Sequence, residues 1–167
     1  MKNLFIIIIL AVIVSVFISD KDYVMIPSTS IRMRVIAASN SEVDQNNKLI
    51  VKSALEETIK NLDLPKNFEE ADEYINSNKD NIDNSIKKLV NHESITFKSN
   101  YGYNYFPQKE WNGVVYPSGN YKSYVVTIGN GEGENWWCVM YPPLCLLDDK
   151  DEYTYRSLIK EVLGQYN

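Results

Sequence analysis

Near residue 94 the spacing of apolar side chains changes from a helical repeat to a repeat of two, and this change limits what the chain can build. Before it, Val51, Ala54, Leu55, Ile59 and Leu62 recur at helical spacing, and Pro65 closes the run. That helix begins near Ser41 or Asp44, where a side-chain oxygen can cap free amides. A second opens at Asn67, with Glu70 three residues on, and carries Phe68, Ala71 and Ile75. A third starts near Asp80 and sets Ile82, Ile86, Leu89 and Val90 on one face. After the change, Ile95, Phe97, Tyr101, Tyr103 and Tyr105 alternate as in a strand, with a turn expected near Gly102. Tyr116 to Asn120 has turn composition, Lys122 to Ile128 is a β-branched strand, and Trp136 to Tyr141 is an aromatic strand stopped by Pro142 and Pro143. A last helix from Asp151 to Gln165 aligns Tyr155, Leu158, Ile159 and Val162. Ahead of the helices, Ile31 to Ile36 alternates, sending Ile31, Met33 and Val35 to the core and Arg32 and Arg34 to solvent. The expected fold is therefore α+β: a mainly antiparallel sheet, a layer of about three helices and a C-terminal helix.

The segment Leu4 to Ile18 is apolar except for Ser15. As a helix it reaches about 22 Å, short of a hydrocarbon layer of about 30 Å. Lys2 precedes it and Asp20 and Asp22 follow, so the positive end stays inside and the rest is delivered outward. A small-x-small cleavage site is poorly matched, because Phe17 or Ile18 stands where Ala is wanted. Residues 1–19 are thus a signal peptide or a retained membrane anchor, residues 20–30 a linker, and residues 31–167 one globular domain.

Charge and rare residues remove whole classes of function. Seventeen basic against 22 acidic side chains give a net charge of −5, which offers nucleic acid no general attraction. A 44% apolar fraction is ample for a packed core. The single histidine, His92, and two cysteines leave a tetrahedral zinc site incomplete and a nucleophile without a base. Glu56 with Glu57 and Glu69 with Glu70 read as solvated helix faces. No catalytic group, metal site or cofactor is expected. The glycine-rich stretch Gly129 to Asn135 runs into Trp136 rather than a helix, and Glu132 and Glu134 repel phosphate, so a nucleotide cradle fails. Asn130, Glu132, Glu134 and Asn135 could offer oxygens to Ca²⁺, but EF-hand spacing is missing; the stretch reads as a mobile hairpin loop.

Cys138 and Cys145 flank six residues that contain the Pro142-Pro143 reversal. In an exported chain an even cysteine count pairs by default, and closing so short a loop stabilises by about 2–3 kcal/mol. The alternative is two buried thiols packed as small apolar groups. Trp136 and Trp137 point to opposite faces of a strand, so one anchors a core while the other faces the surface or lies under the terminal helix. Exposed Trp beside Tyr and Pro suits protein binding. Asn130, Glu132, Glu134, Trp136, Trp137, Tyr141, Pro142 and Pro143 are the candidate partner-binding residues.

The run GNGEGENWWCVMYPPLC from Gly129 to Cys145 resembles the signature of the stage II sporulation protein R family. IRMRVIAASNS from Ile31 to Ser41, VYPSG from Val115 to Gly119 and the apolar N-terminal segment agree with it. The resemblance covers essentially everything beyond that segment. It implies an exported signal of endospore formation, made in the forespore and delivered into the space between the two membranes. There it would activate a membrane-embedded aspartic protease of the mother cell, which processes the sigma-E precursor. On that implication the protease is the partner, the membrane is met through the N-terminal segment if uncleaved, and the chain acts by binding. Competing readings are an exported cell-wall-acting enzyme and a structural protein of the intermembrane space.

Overall fold

The computed structural model describes residues 23–147 and 151–166. The expected export or anchor helix over residues 1–19 lies outside them, as does the start of the linker. Among the described residues no helix is long and apolar enough to cross a membrane. The elements are β1 (Val24–Met25), β2 (Ile31–Ile36), α1 (Glu42–Lys60), α2 (Phe68–Ser77), α3 (Lys79–Val90), β3 (Phe97–Phe106), β4 (Lys109–Trp111), β5 (Val114–Tyr116), β6 (Gly119–Ile128), β7 (Asn135–Tyr141) and α4 (Glu152–Gln165).

Helix starts follow the capping chemistry of the sequence. Ser41 accepts from the Asp44 amide at 3.2 Å, Asn67 from the Glu70 amide at 3.1 Å, and Asp151 from the Thr154 amide at 3.0 Å. Each satisfies a donor that the first helical turn leaves open.

The strands form a central sheet in the order β3-β6-β2-β7 and a small sheet in the order β1-β5-β4. Both are mixed rather than mainly antiparallel: β2 runs parallel to β6, and β1 parallel to β5. The reason is the connection between β2 and β6. A parallel pair requires a crossover, and α1 to α3, which form the helical layer on one face of the sheet, sit inside that crossover. Ile31, Met33 and Val35 of β2 pack with Val51, Leu55, Ile75, Ile86 and Val126 on the helical side. On the other face Val139 joins Val24, Ile26, Val114, Leu144, Tyr155 and Ile159 from the small sheet, the segment after β7, and α4.

Because both faces are covered, Arg32 and Arg34 do not reach solvent as the alternation suggests. Arg32 is 0% exposed and Arg34 half-buried. Arg32 lies 3.5 Å from the Tyr121 ring centroid, 5.0 Å from Trp137 and 5.3 Å from Phe106, and its Nη2 donates to the Pro117 carbonyl at 3.0 Å. Burial lowers the pKa of both guanidinium groups from their ordinary value. The turn expected at Gly102 is also missing: β3 runs through it, with Gly102 paired to Ser123 of β6.

Two carboxylates tie helices to the sheet. Asp72 of α2 accepts from the Tyr101 hydroxyl at 2.6 Å and pairs with Lys122 at 3.0 Å. Asp83 of α3 accepts from Ser99 at 2.6 Å and from the Tyr124 hydroxyl, and pairs with Lys79 at 3.4 Å. Burial alone would raise the Asp83 pKa, but bonds from Ser99 and Tyr124 and the Lys79 charge outweigh it and hold the carboxyl below its ordinary value.

Two predictions follow from this packing. Arg32→Ala empties a ring-lined site and destabilises by about 2–4 kcal/mol in urea unfolding, and Arg32→Lys recovers little of it because an ammonium cannot stack as a planar guanidinium does. Wild-type stability in both variants would show that the stack carries nothing. Asp83 has a depressed folded-state pKa, so its contribution is present above the unfolded value near 4 and is lost as pH falls through the folded value. Unfolding measured from pH 5 to pH 2 should therefore lose less stability in Asp83→Asn than in the parent; parallel profiles would contradict this.

Candidate functional site

The connection from β6 to β7 is not a hairpin loop. These strands flank β2, so residues 129–134 must pass over the C-terminal end of β2 to reach its far side. Backbone bonds hold that passage. The Gly133 amide donates to Ala37 O at 3.0 Å, the Glu132 amide to Ala38 O at 3.2 Å, and the Ala37 amide to Glu134 O at 3.4 Å. The Glu134 amide donates to Asn40 Oδ1 at 2.7 Å, and Lys48 Nζ donates to Glu134 O at 3.4 Å. Glycine is required for two different reasons. Gly131 has φ +69°, and a Cβ on Gly133 would lie 2.2 Å from Ser39 O. The loop expected to be mobile is thus tied to the segment after β2, with the Lys48 ammonium on the Glu134 carbonyl.

β7 emerges from this crossing as an edge strand, paired only with β2 among the described residues. Its alternation splits the two tryptophans, as a strand must. Trp136 packs toward the helical core with the Lys52 ammonium 5.1 Å from its ring, while Trp137 meets Phe106 at 5.3 Å and Tyr116 at 5.7 Å on the other face. Both are half-buried. Trp137 packs edge-on against Phe106 and Tyr116 and against the cluster that includes Tyr155 and Ile159 of α4.

Cys138 and Cys145 form a disulfide with Cα atoms 5.8 Å apart. It fastens the turn after β7 back onto that strand. Between its ends, Tyr141 and Pro142 are buried and joined by a cis peptide bond, and the Tyr141 hydroxyl donates to Lys66 O. Of the expected partner-binding residues, Asn130, Glu132 and Glu134 are exposed, Trp136, Trp137 and Pro143 are half-buried, and Tyr141 and Pro142 belong to the core. They do not make one continuous patch.

What gathers around β7 is a groove of about 550 Å³. Trp136, Trp137 and Cys138 form its floor, Lys52 and Glu56 of α1 one wall, and Lys109 and Trp111 of β4 the other; Leu144 to Leu147 and Tyr155 close one end. The walls were missed from sequence because they come from segments far from β7 in the chain. The packing of α1 on one face of the central sheet and of the small sheet on the other brings them together. Lys52 is neutralised by Glu56 at 2.8 Å. Lys109 is not paired with any carboxylate among the described residues; its ammonium stands 5.4 Å from the Trp137 ring and 5.6 Å from Trp111. Among the described residues no three His, Cys, Asp or Glu side chains converge as a metal site.

Comparison with known proteins adds a separate line of observation. The family model for stage II sporulation protein R matches residues 27–151. Stage II sporulation protein R of Bacillus subtilis (strain 168) is 36% identical over 134 residues, covering 78% of this chain and 59% of that protein. The chain therefore spans 59% of the length of this curated relative. No solved structure matches.

The crossing geometry yields its own test. Gly133→Ala places a methyl group against a carbonyl oxygen and should destabilise by about 1–3 kcal/mol, with faster amide exchange at residues 131–134. Gly164→Ala, in open space on α4, should stabilise by about 0.5–1 kcal/mol. A neutral Gly133→Ala would mean that the loop does not sit against Ser39.

Proposed function

Because the chain belongs to the stage II sporulation protein R family, a family of sporulation proteins, we propose that it is an exported signal that acts by binding a membrane-embedded protease. On this reading it crosses the forespore membrane, remains in the intermembrane space either free or held by residues 1–19, and engages the extracytoplasmic side of the aspartic protease that processes the sigma-E precursor. The observation that carries the reading is the groove along β7. It combines aromatic side chains, a lysine with no carboxylate partner among the described residues, and a strand edge that no described strand covers, the elements of a protein-recognition site.

Activation by binding has a definite energetic requirement. A ligand changes a two-state equilibrium only by its difference in affinity for the states, and each tenfold preference is worth about 1.4 kcal/mol. The chain must therefore fit the active arrangement of the protease better than the resting one. A preformed groove suits this, because little of the binding energy is lost in ordering the receptor side.

Co-expression of the chain, the protease and the sigma-factor precursor in a non-sporulating host tests the reading. Precursor cleavage should require the chain, and Trp136→Ala, shown to be folded by circular dichroism, should reduce it at least tenfold. Cleavage of equal extent without the chain would overturn the proposal.

A further inference from the structure

We propose that the groove takes up an extended, acidic segment of the protein partner, which pairs with the outer edge of β7 as a fifth strand of the central sheet. The inference rests on the binding function proposed above and specifies how the partner is held.

Three observations lead to it. The first is the edge. In an antiparallel ladder, alternate residues turn their N–H and C=O groups toward the neighbour, so the intervening residues of β7 present theirs outward. Exposed edges are commonly protected by Lys, Pro or a covering segment. Asn135 to Tyr141 contains no charged residue and no proline, whereas the opposite edge strand, β3, carries Lys98. From Cys138 onward β7 is covered by the turn that holds Cys145, which leaves Asn135 to Trp137 open.

The second is shape. The edge is recessed between α1 and β4, so a single strand enters where a folded surface would meet the walls. Alternate side chains of the added strand would lie over Trp136 on one face and Trp137 on the other.

The third is charge. Lys52 is already satisfied by Glu56, but Lys109 stands over two indole rings of the groove and pairs with no carboxylate among the described residues. A Glu or Asp on the incoming strand, on the β4 side, completes that pair. The same cation argues against self-pairing. Antiparallel association with a second copy keeps each sheet face on its own side, so the two β4 walls and their Lys109 charges would meet.

The test uses the full chain and overlapping twelve-residue peptides spanning the extracytoplasmic segments of the protease. An acidic peptide should bind, slow amide exchange at alternate residues of Asn135 to Trp137, and quench tryptophan fluorescence. Lys109→Glu, at an exposed position, should weaken binding at least tenfold, a Glu-to-Lys change in the peptide should restore it, and Lys87→Glu on α3 should leave it unchanged. Failure of every peptide to bind, binding that leaves β7 exchange unaltered, or β7 protection that depends on chain concentration alone would overturn strand addition. Lys109→Glu then goes into the co-expression assay. Normal cleavage with this variant rejects strand addition while the activating role stands; no cleavage with the wild-type chain rejects both.

Discussion

One buried guanidinium holds the central sheet to its second layer. Arg32 lies on β2, Phe106 on β3, Tyr121 on β6 and Trp137 on β7, so a single side chain touches an aromatic ring from each of the other three strands. Burying a charge without an anion is ordinarily expensive. Here ring faces and the Pro117 carbonyl take the place of a carboxylate. Only arginine suits that environment: it is planar enough to stack, weakly hydrated, and charged at any physiological pH even though burial lowers its pKa. Arg34 repeats the arrangement more weakly, 4.1 Å from the Phe106 ring, with its Nη2 donating to Tyr105 O at 2.7 Å.

The groove inherits its floor from this stack. Trp137 presents one face to Arg32 and its neighbours and another to the groove, so its orientation is set by contacts inside the protein. The disulfide holds β7 at its middle residue, Cys138, and the backbone bonds of residues 131–134 fix its start. A short edge strand held at its start, at its middle and along its floor loses little entropy when another strand is laid beside it.

The sequence was most legible where structure is local. Helical spacing with Ser41, Asn67 and Asp151 as caps located α1, α2 and α4 closely, because capping and apolar periodicity act within a few residues. The disulfide was legible too, since seven residues and a proline reversal bring its ends together. The alternation of β2 located the strand but misassigned its arginines, because period two says which residues share a face and nothing about what covers each face. Parallel pairing of β2 with β6 was hidden for the same kind of reason: the partners lie some ninety residues apart, and no local signal distinguishes a crossover from a helical layer. The glycine loop read as mobile because glycine marks both freedom and close approach. Only the Ser39 carbonyl beside Gly133 tells them apart. Lys109, which pairs with no carboxylate among the described residues, had no signal in its own neighbourhood.

An uncharged sheet edge carries a risk of indiscriminate pairing, and a recess reduces that risk without capping the edge. The walls of α1 and β4 exclude broad surfaces, while Lys109 favours a strand of one charge over another, so steric and electrostatic selection act on the same ligand. If the chain activates its partner by strand addition, as we propose, the edge does what a flat hot spot would not. Strand addition demands that the bound segment of the partner be extended, and main-chain pairing rewards that conformation whatever most of its side chains are. Any resting arrangement in which that segment is folded back or otherwise paired is then disfavoured by the full strength of the added ladder. On the proposed strand addition, coupling between binding and activation would come from the backbone geometry of the edge, with the aromatic floor and Lys109 choosing which segment is admitted.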